Sequence, residues 1–81
     1  MSGGVSQDEL ARLRADLSEI EKDLAAVRKT SADIRSGVGE AEDPSDRGAL
    51  IQAADEQDNL ADQLVIRRED LLRRIAEADR G

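Results

Sequence analysis

The sequence predicts an all-α fold, an antiparallel two-helix coiled-coil hairpin that pairs into a dimeric four-helix bundle. Three observations lead to this prediction. Apolar residues recur at alternating spacings of three and four in two long segments, a stretch with Gly and Pro separates those segments, and none of the 81 residues is aromatic. Aliphatic side chains alone can fill the narrow interface between helices, but they do not suggest a large ligand pocket.

The first helix is predicted over residues 7–36. Ser6 followed three residues later by Glu9 matches a capping box, which places the helix start near Gln7. The apolar positions then follow a heptad pattern over almost four repeats: Leu10, Leu13, Leu17, Ile20, Leu24, Val27 and Ile34.

A tip loop is predicted over residues 37–43, between the two helices of a hairpin domain that spans residues 6–80. Gly37 and Gly39 can adopt the left-handed or loose conformations that end a helix. Residues 1–5 are expected to form a flexible N-terminal arm.

The second helix is predicted over residues 44–79, and its register against the first helix follows from the apolar pattern. The residue numbers of facing pairs add to a constant, as antiparallel packing requires. The predicted pairs are Leu13 with Leu71, Leu17 with Arg67, Ile20 with Leu64, Leu24 with Leu60, Val27 with Gln57, Ser31 with Ala53, and Ile34 with Leu50. Ile75 is expected to pack on Leu10 at the base. Arg67, the one charged residue in the middle of this pattern, is expected to lay its methylenes over the interface and keep its guanidinium in water.

A further apolar row on helix 2 is not covered by helix 1 in this register. A lone two-helix hairpin gains little net free energy from its own interface, so we expect the row to mediate self-association or docking on a larger protein. Its members are Ile51, Ala54, Ala61, Val65, Leu72 and Ile75.

The composition argues against several classes of function. The chain has no His and no Cys, so we expect no catalysis, no metal site and no cofactor. Without an apolar run of about 18 residues or a signal peptide, neither a membrane partner nor export is expected, and the predicted location is the cytoplasm. An acidic chain without aromatic platforms is also not expected to contact nucleic acid directly.

The negative charge is concentrated at the tip. Residues 33–62 contain nine acidic and two basic residues, which accounts for the whole net charge of −7. One interpretation of the segment at the tip is structural, with Asp43 as the N-cap of helix 2, Pro44 at its first position, and Ser45 and Asp46 complementing the helix dipole. The other is that Asp43 and Asp46 are presented to a partner by a rigid rod.

The segment from Asp43 to about residue 77 resembles the second coiled-coil helix of the DksA/TraR family of RNA-polymerase regulators. That family places an Asp-x-x-Asp-x-Ala motif, often beginning Asp-Pro-x-Asp-Arg, at the tip of a helical hairpin. The matching residues are Asp43, Pro44, Asp46 and Arg47, and Gly48 stands where the family has Ala. The family's four-cysteine zinc finger has no counterpart in these residues.

The resemblance implies a non-enzymatic transcription regulator that inserts its tip into the secondary channel of RNA polymerase. Asp46 is then the principal effector carboxylate, and Asp43, Arg47 and Gly48 complete the partner-binding tip. The alternative is a structural or adaptor coiled coil that self-associates or docks on a larger protein, in which the tip motif only caps helix 2. In either case, the pairs Arg67–Arg68 and Arg73–Arg74 could form a docking patch, but we expect them to pair with nearby acids of the same chain.

Overall fold

A computed structural model describes residues 6–80, which form an antiparallel hairpin of two helices, α1 (Gln7–Val38) and α2 (Pro44–Arg80). This confirms the predicted all-α helical hairpin. The Cα atoms extend over 66 × 14 × 12 Å, so the hairpin is a slender rod with the connecting loop at one end. The expected flexible arm, residues 1–5, lies outside the described residues.

The start of α1 is as predicted, but its end is not. The backbone N–H of Glu9 donates to the Ser6 hydroxyl at 3.1 Å, which caps the helix. The helix then continues through Gly37 to Val38, and Gly39 has a right-handed φ of −67°. The expected left-handed glycine was wrong, since no residue from 6 to 80 has a positive φ. A Cβ added at Gly37 would lie 3.8 Å from Cδ1 of Leu50, so α2 already packs on this last turn of α1.

The register between the helices differs from the predicted one by about one helical turn. Leu24 packs with Ala61 and Leu64, whereas the sequence pattern paired it with Leu60, which is 42% exposed. Ser31 was expected to face Ala53, but its hydroxyl reaches Asp58 instead.

The face of α2 that packs on α1 also differs slightly from the predicted face. The residues that are buried or half-buried along this face keep strict heptad spacing: Leu50, Ala54, Gln57, Ala61, Leu64, Arg68, Leu71 and Ile75. Arg67, which was predicted to lie over the interface, is exposed, and Arg68 takes that place. The small side chains of Ala54 and Ala61 fill the tip-side half, where Ala54 is completely buried.

Most residues of the predicted second apolar row are therefore buried or half-buried within the hairpin itself. Ala54 and Ala61 are buried, and Val65 and Ile75 are half-buried. Ile51 and Leu72 keep 42% and 45% of their surface exposed. The expectation that α1 leaves the whole row uncovered was wrong, because Ala54, Ala61 and Ile75 belong to the interhelical heptad pattern.

Two differences between the registers favour the observed one. Its heptad pattern reaches Ile75 near the base without a break, whereas strict continuation of the other pattern beyond Leu71 would reach Arg74. It also sets the carboxylate of Asp58 beside the Ser31 hydroxyl, so that a buried polar group is hydrogen-bonded. The two registers differ less in the apolar area that they bury. In the other register, Leu60 would enter the interface and Ala61 would leave it.

Truncation of Leu24 and of Leu60 should have unequal effects. Leu24 is 3% exposed, so we expect Leu24→Ala to lower the free energy of unfolding by about 3 kcal/mol. Leu60→Ala removes a partly exposed side chain and should cost less than about 1 kcal/mol. Urea unfolding followed by circular dichroism measures both, and equal losses would contradict the observed register.

Candidate functional site

The hairpin tip is built on the N-cap of α2. The Asp43 carboxylate accepts a hydrogen bond from the Ser45 backbone N–H at 2.9 Å, and the Asp43 carbonyl accepts from the Arg47 N–H at 3.0 Å. Pro44 occupies the first helical position, where its missing N–H is not needed. The structural interpretation of Asp43 as a helix cap is thus correct, and one of its carboxylate oxygens is engaged in capping.

The side chain of Arg47 closes the tip loop. Its Nε donates to the Ala41 carbonyl at 2.8 Å and its Nη2 donates to the Glu42 carbonyl at 3.2 Å. On the other side of the loop, the carbonyl of Gly37 accepts from the N–H groups of Glu40 and Ala41, each at 3.1 Å. These bonds satisfy loop carbonyls, so Arg47 holds the loop in place as well as placing a positive charge among acidic residues.

Asp46 and Gly48 are the predicted tip residues that do not hold the loop, although the charge of Asp46 complements the dipole of α2. Asp46 lies exposed in the first turn of α2 and forms no ion pair within residues 6–80. Gly48 is also exposed, and a Cβ added there would meet nothing within 4 Å. All four predicted tip residues therefore come together at the end of the rod, and of the two predicted carboxylates Asp46 is the one that is not engaged in capping.

A second group of polar residues lies below the tip and was missed by the sequence interpretation. We call Ser31, Arg35, Asp55 and Asp58 the polar cluster. The buried Ser31 hydroxyl donates to Asp58 at 2.6 Å, and the Arg35 guanidinium pairs with Asp58 and, at 3.1 Å, with Asp55. A serine at a heptad core position with an arginine one turn later was the available signal.

The polar cluster shifts the protonation of its charged members. The Ser31 hydroxyl, followed by Arg35, stabilises the carboxylate of Asp58 and lowers its pKa below the ordinary value. Hydrogen bonds from Arg35 to Asp58 and then Asp55 raise the pKa of the guanidinium, which stays charged in any case. The cluster is thus a charged crosslink between α1 and α2.

The predicted docking residues do not form one continuous surface. Ile51 lies near the tip and Leu72 near the base, about 31 Å apart along α2 at 1.5 Å per residue. Leu60 and Ile66, which were not predicted as surface sites, are 42% and 69% exposed. Exposed apolar groups are therefore distributed along α2.

The base of the rod is held by ion pairs. Arg14 pairs with Asp79 across the helices at 3.5 Å, while Arg73 and Arg74 both pair with Asp70 on α2. The predicted intramolecular use of the Arg73–Arg74 pair is confirmed. These exposed pairs stabilise the hairpin only modestly.

The remaining features that could bind a ligand are acidic groups and surface grooves within residues 6–80. No group of three or more acidic, His or Cys side chains in residues 6–80 is arranged to hold a metal ion. An open groove of about 600 Å³ is lined by apolar and charged side chains of both helices: Asp16, Glu19, Ile20, Ile66, Arg67, Asp70 and Leu71. The arrangement offers surfaces for binding.

Comparisons with known proteins add no relative. A scan against family models and searches of curated proteins and of solved structures found no match to the chain. Neither α1 nor α2, as described, combines the length and apolar character needed to cross a membrane.

The polar cluster predicts a specific loss of stability in acid. Because the pKa of Asp58 is lowered in the folded state, its contribution is complete above the pKa of an unfolded Asp, about 3.9, and is lost as the pH falls through the folded value. Asp58→Asn should be less stable than the wild type at pH 7, and the difference should shrink toward pH 2. Urea midpoints measured across this range test it.

Asp62→Asn is the matched control, since Asp62 is an exposed carboxylate of α2 outside the polar cluster. It should follow the wild-type pH profile. Parallel profiles for the wild type and Asp58→Asn would contradict the role assigned to Asp58.

Proposed function

We propose that this chain is a non-enzymatic transcription regulator that inserts its acidic hairpin tip into the secondary channel of RNA polymerase. The observation that supports this proposal most is the position of Asp46, an exposed carboxylate at the end of a narrow rod. The resemblance of the tip segment to the DksA/TraR motif supplies the identity of the partner.

The dimensions of the rod suit insertion into a channel. With Cα extents of 66 × 14 × 12 Å, the hairpin is more than four times as long as it is wide in either transverse direction. Such a rod can reach a recessed site that a globular domain of the same mass could not enter.

The charge of the tip suits a cationic environment. Glu40, Glu42, Asp43 and Asp46 are exposed at or beside the loop, and the Arg47 guanidinium is occupied by loop carbonyls. An excess of exposed carboxylates favours approach to basic side chains and alters the field around them. The action is electrostatic, it needs no cofactor, and it takes place in the cytoplasm.

Asp46→Asn tests the working end of the rod. We expect the variant to fold normally, with a loss of no more than about 0.5 kcal/mol from the helix dipole. Binding to purified RNA polymerase, measured by fluorescence anisotropy, and the effect on transcription in vitro should weaken at least about tenfold.

Two controls separate charge from capping. Asp43→Asn keeps a capping side chain and removes a charge, whereas Asp43→Ala removes both and should also destabilise α2 by about 1 kcal/mol. Asp62→Asn makes the same charge change on the shaft and should leave binding unchanged. Wild-type activity of Asp46→Asn, or no binding by the wild type, would overturn the proposal.

The second candidate function is that of a self-associating or adaptor hairpin, and the exposed apolar residues of α2 favour it. They are Ile51, Leu60, Ile66 and Leu72. Pairing two hairpins into a four-helix bundle would remove part of this surface from water. The tip motif then acts only as a helix cap.

Sedimentation velocity tests self-association. For a dimer, the molar mass obtained from sedimentation should be about twice the 8.8 kDa of the chain. Leu72→Glu should shift this mass to that of the monomer, because a charge would be buried in the bundle. Gln63→Glu, which adds the same charge at an exposed polar position, should leave the dimer intact. A wild type that sediments as a monomer at every concentration would contradict this candidate.

A further inference from the structure

Helix α2 carries two overlapping heptad patterns, and the structure uses one of them. The patterns share four positions: Leu50, Gln57, Leu64 and Leu71. The pattern in use adds Ala54, Ala61, Arg68 and Ile75. The other pattern would add Ala53, Leu60, Arg67 and Arg74. Each pattern alternates spacings of three and four, so each can pack against α1.

In the observed register, one large apolar side chain is partly exposed and one polar atom is buried without a hydrogen-bond partner among the described residues. Leu60, one of the larger apolar side chains of α2, is 42% exposed while the smaller Ala61 beside it is buried. The Nε of Arg68 is buried and has no hydrogen-bond partner among the described residues. In the other register, Leu60 packs on Leu24 and Arg68 leaves the interface, while Arg67 and Arg74 lie along it with long side chains that can extend their guanidinium groups to water.

The two registers are related by a simple movement. A shift of four residues slides α2 toward the base by about 6 Å and rotates it by about 50° about its own axis. Because Leu50 packs at the level of Gly37, α2 begins beyond the end of α1, and the slide brings Pro44 closer to Val38. The loop of residues 39–43 absorbs the change, and its Gly39 is free to adopt many conformations.

The polar cluster exists only in the observed register. Asp58 reaches both Ser31 and Arg35 because it flanks the interface at their level. A slide of one turn carries Asp58 about 6 Å toward the base and breaks both contacts. The cluster is therefore the element that distinguishes the registers, and it lies in the half of the rod where small and polar residues fill the interface.

We propose that the hairpin is a two-register device in which the polar cluster is the latch. Breaking the latch allows α2 to slide by one turn, which buries Leu60, frees Arg68 and draws the start of α2 back from the tip. The device is independent of the function proposed above, since it follows from the interhelical contacts alone.

Distance measurements between spin labels test the device. The chain has no cysteine, so Ala11→Cys and Ala49→Cys place labels only at two exposed alanines, one near the base of α1 and one near the tip of α2. The wild-type background should give a single main distance. Asp58→Ala should add a second population about 6 Å shorter, because the label on α2 moves toward the base.

Two matched variants complete the design. Asp62→Ala removes an exposed acid outside the polar cluster and should keep the single long distance. Asp58→Ala combined with Leu60→Ala removes the side chain that the slid register would bury, and should restore the long distance. A folded Asp58→Ala variant with only the wild-type distance would overturn the proposal. A loss of its helical circular dichroism would overturn it equally, because a stable second register is required.

Discussion

The contact of Leu24 with Ala61 and Leu64 sets the position of every other feature of the rod. Once Leu24 lies between these residues, heptad spacing carries the same offset to the tip and to the base. At the tip it brings Leu50 to the last turn of α1 and leaves a loop of residues 39–43. At the base it places Arg14 opposite Asp79. The polar cluster adds a directional constraint that aliphatic packing lacks, because a hydrogen bond is lost when the helices slide by one turn.

The tip shows how stability and binding are divided among neighbouring residues. Asp43 caps α2 and Arg47 holds two loop carbonyls, so both have structural tasks that would exist without any partner. Asp46 forms no ion pair within the described residues, and its structural contribution is limited to the dipole of the first turn of α2. Under the proposed function, this exposed carboxylate acts on the partner, and the rest of the rod carries it to a recessed site.

Local signals in the sequence predicted most of the fold. Ser6 and Asp43–Pro44 mark the helix starts because capping depends on adjacent residues. The register could not be predicted in the same way, since Leu50, Leu64 and Leu71 belong to both heptad patterns of α2. The choice depends on contacts between residues distant in sequence, chiefly Ser31 with Asp58, which apolar periodicity does not encode. The same error assigned Ala54 and Ala61 to a docking surface. The tip residues were placed correctly because they lie next to the turn.

The packing of Leu24 on Ala61 and Leu64, with the polar cluster beside them, defines the register of the hairpin. Methyl–methyl nuclear Overhauser effects in the wild-type protein test it most directly. The structure predicts cross-peaks from the Leu24 methyl groups to the methyl groups of Ala61 and Leu64. Cross-peaks from Leu24 to Leu60 in place of those to Leu64 would contradict it, because they would place the free protein in the register that is one turn away.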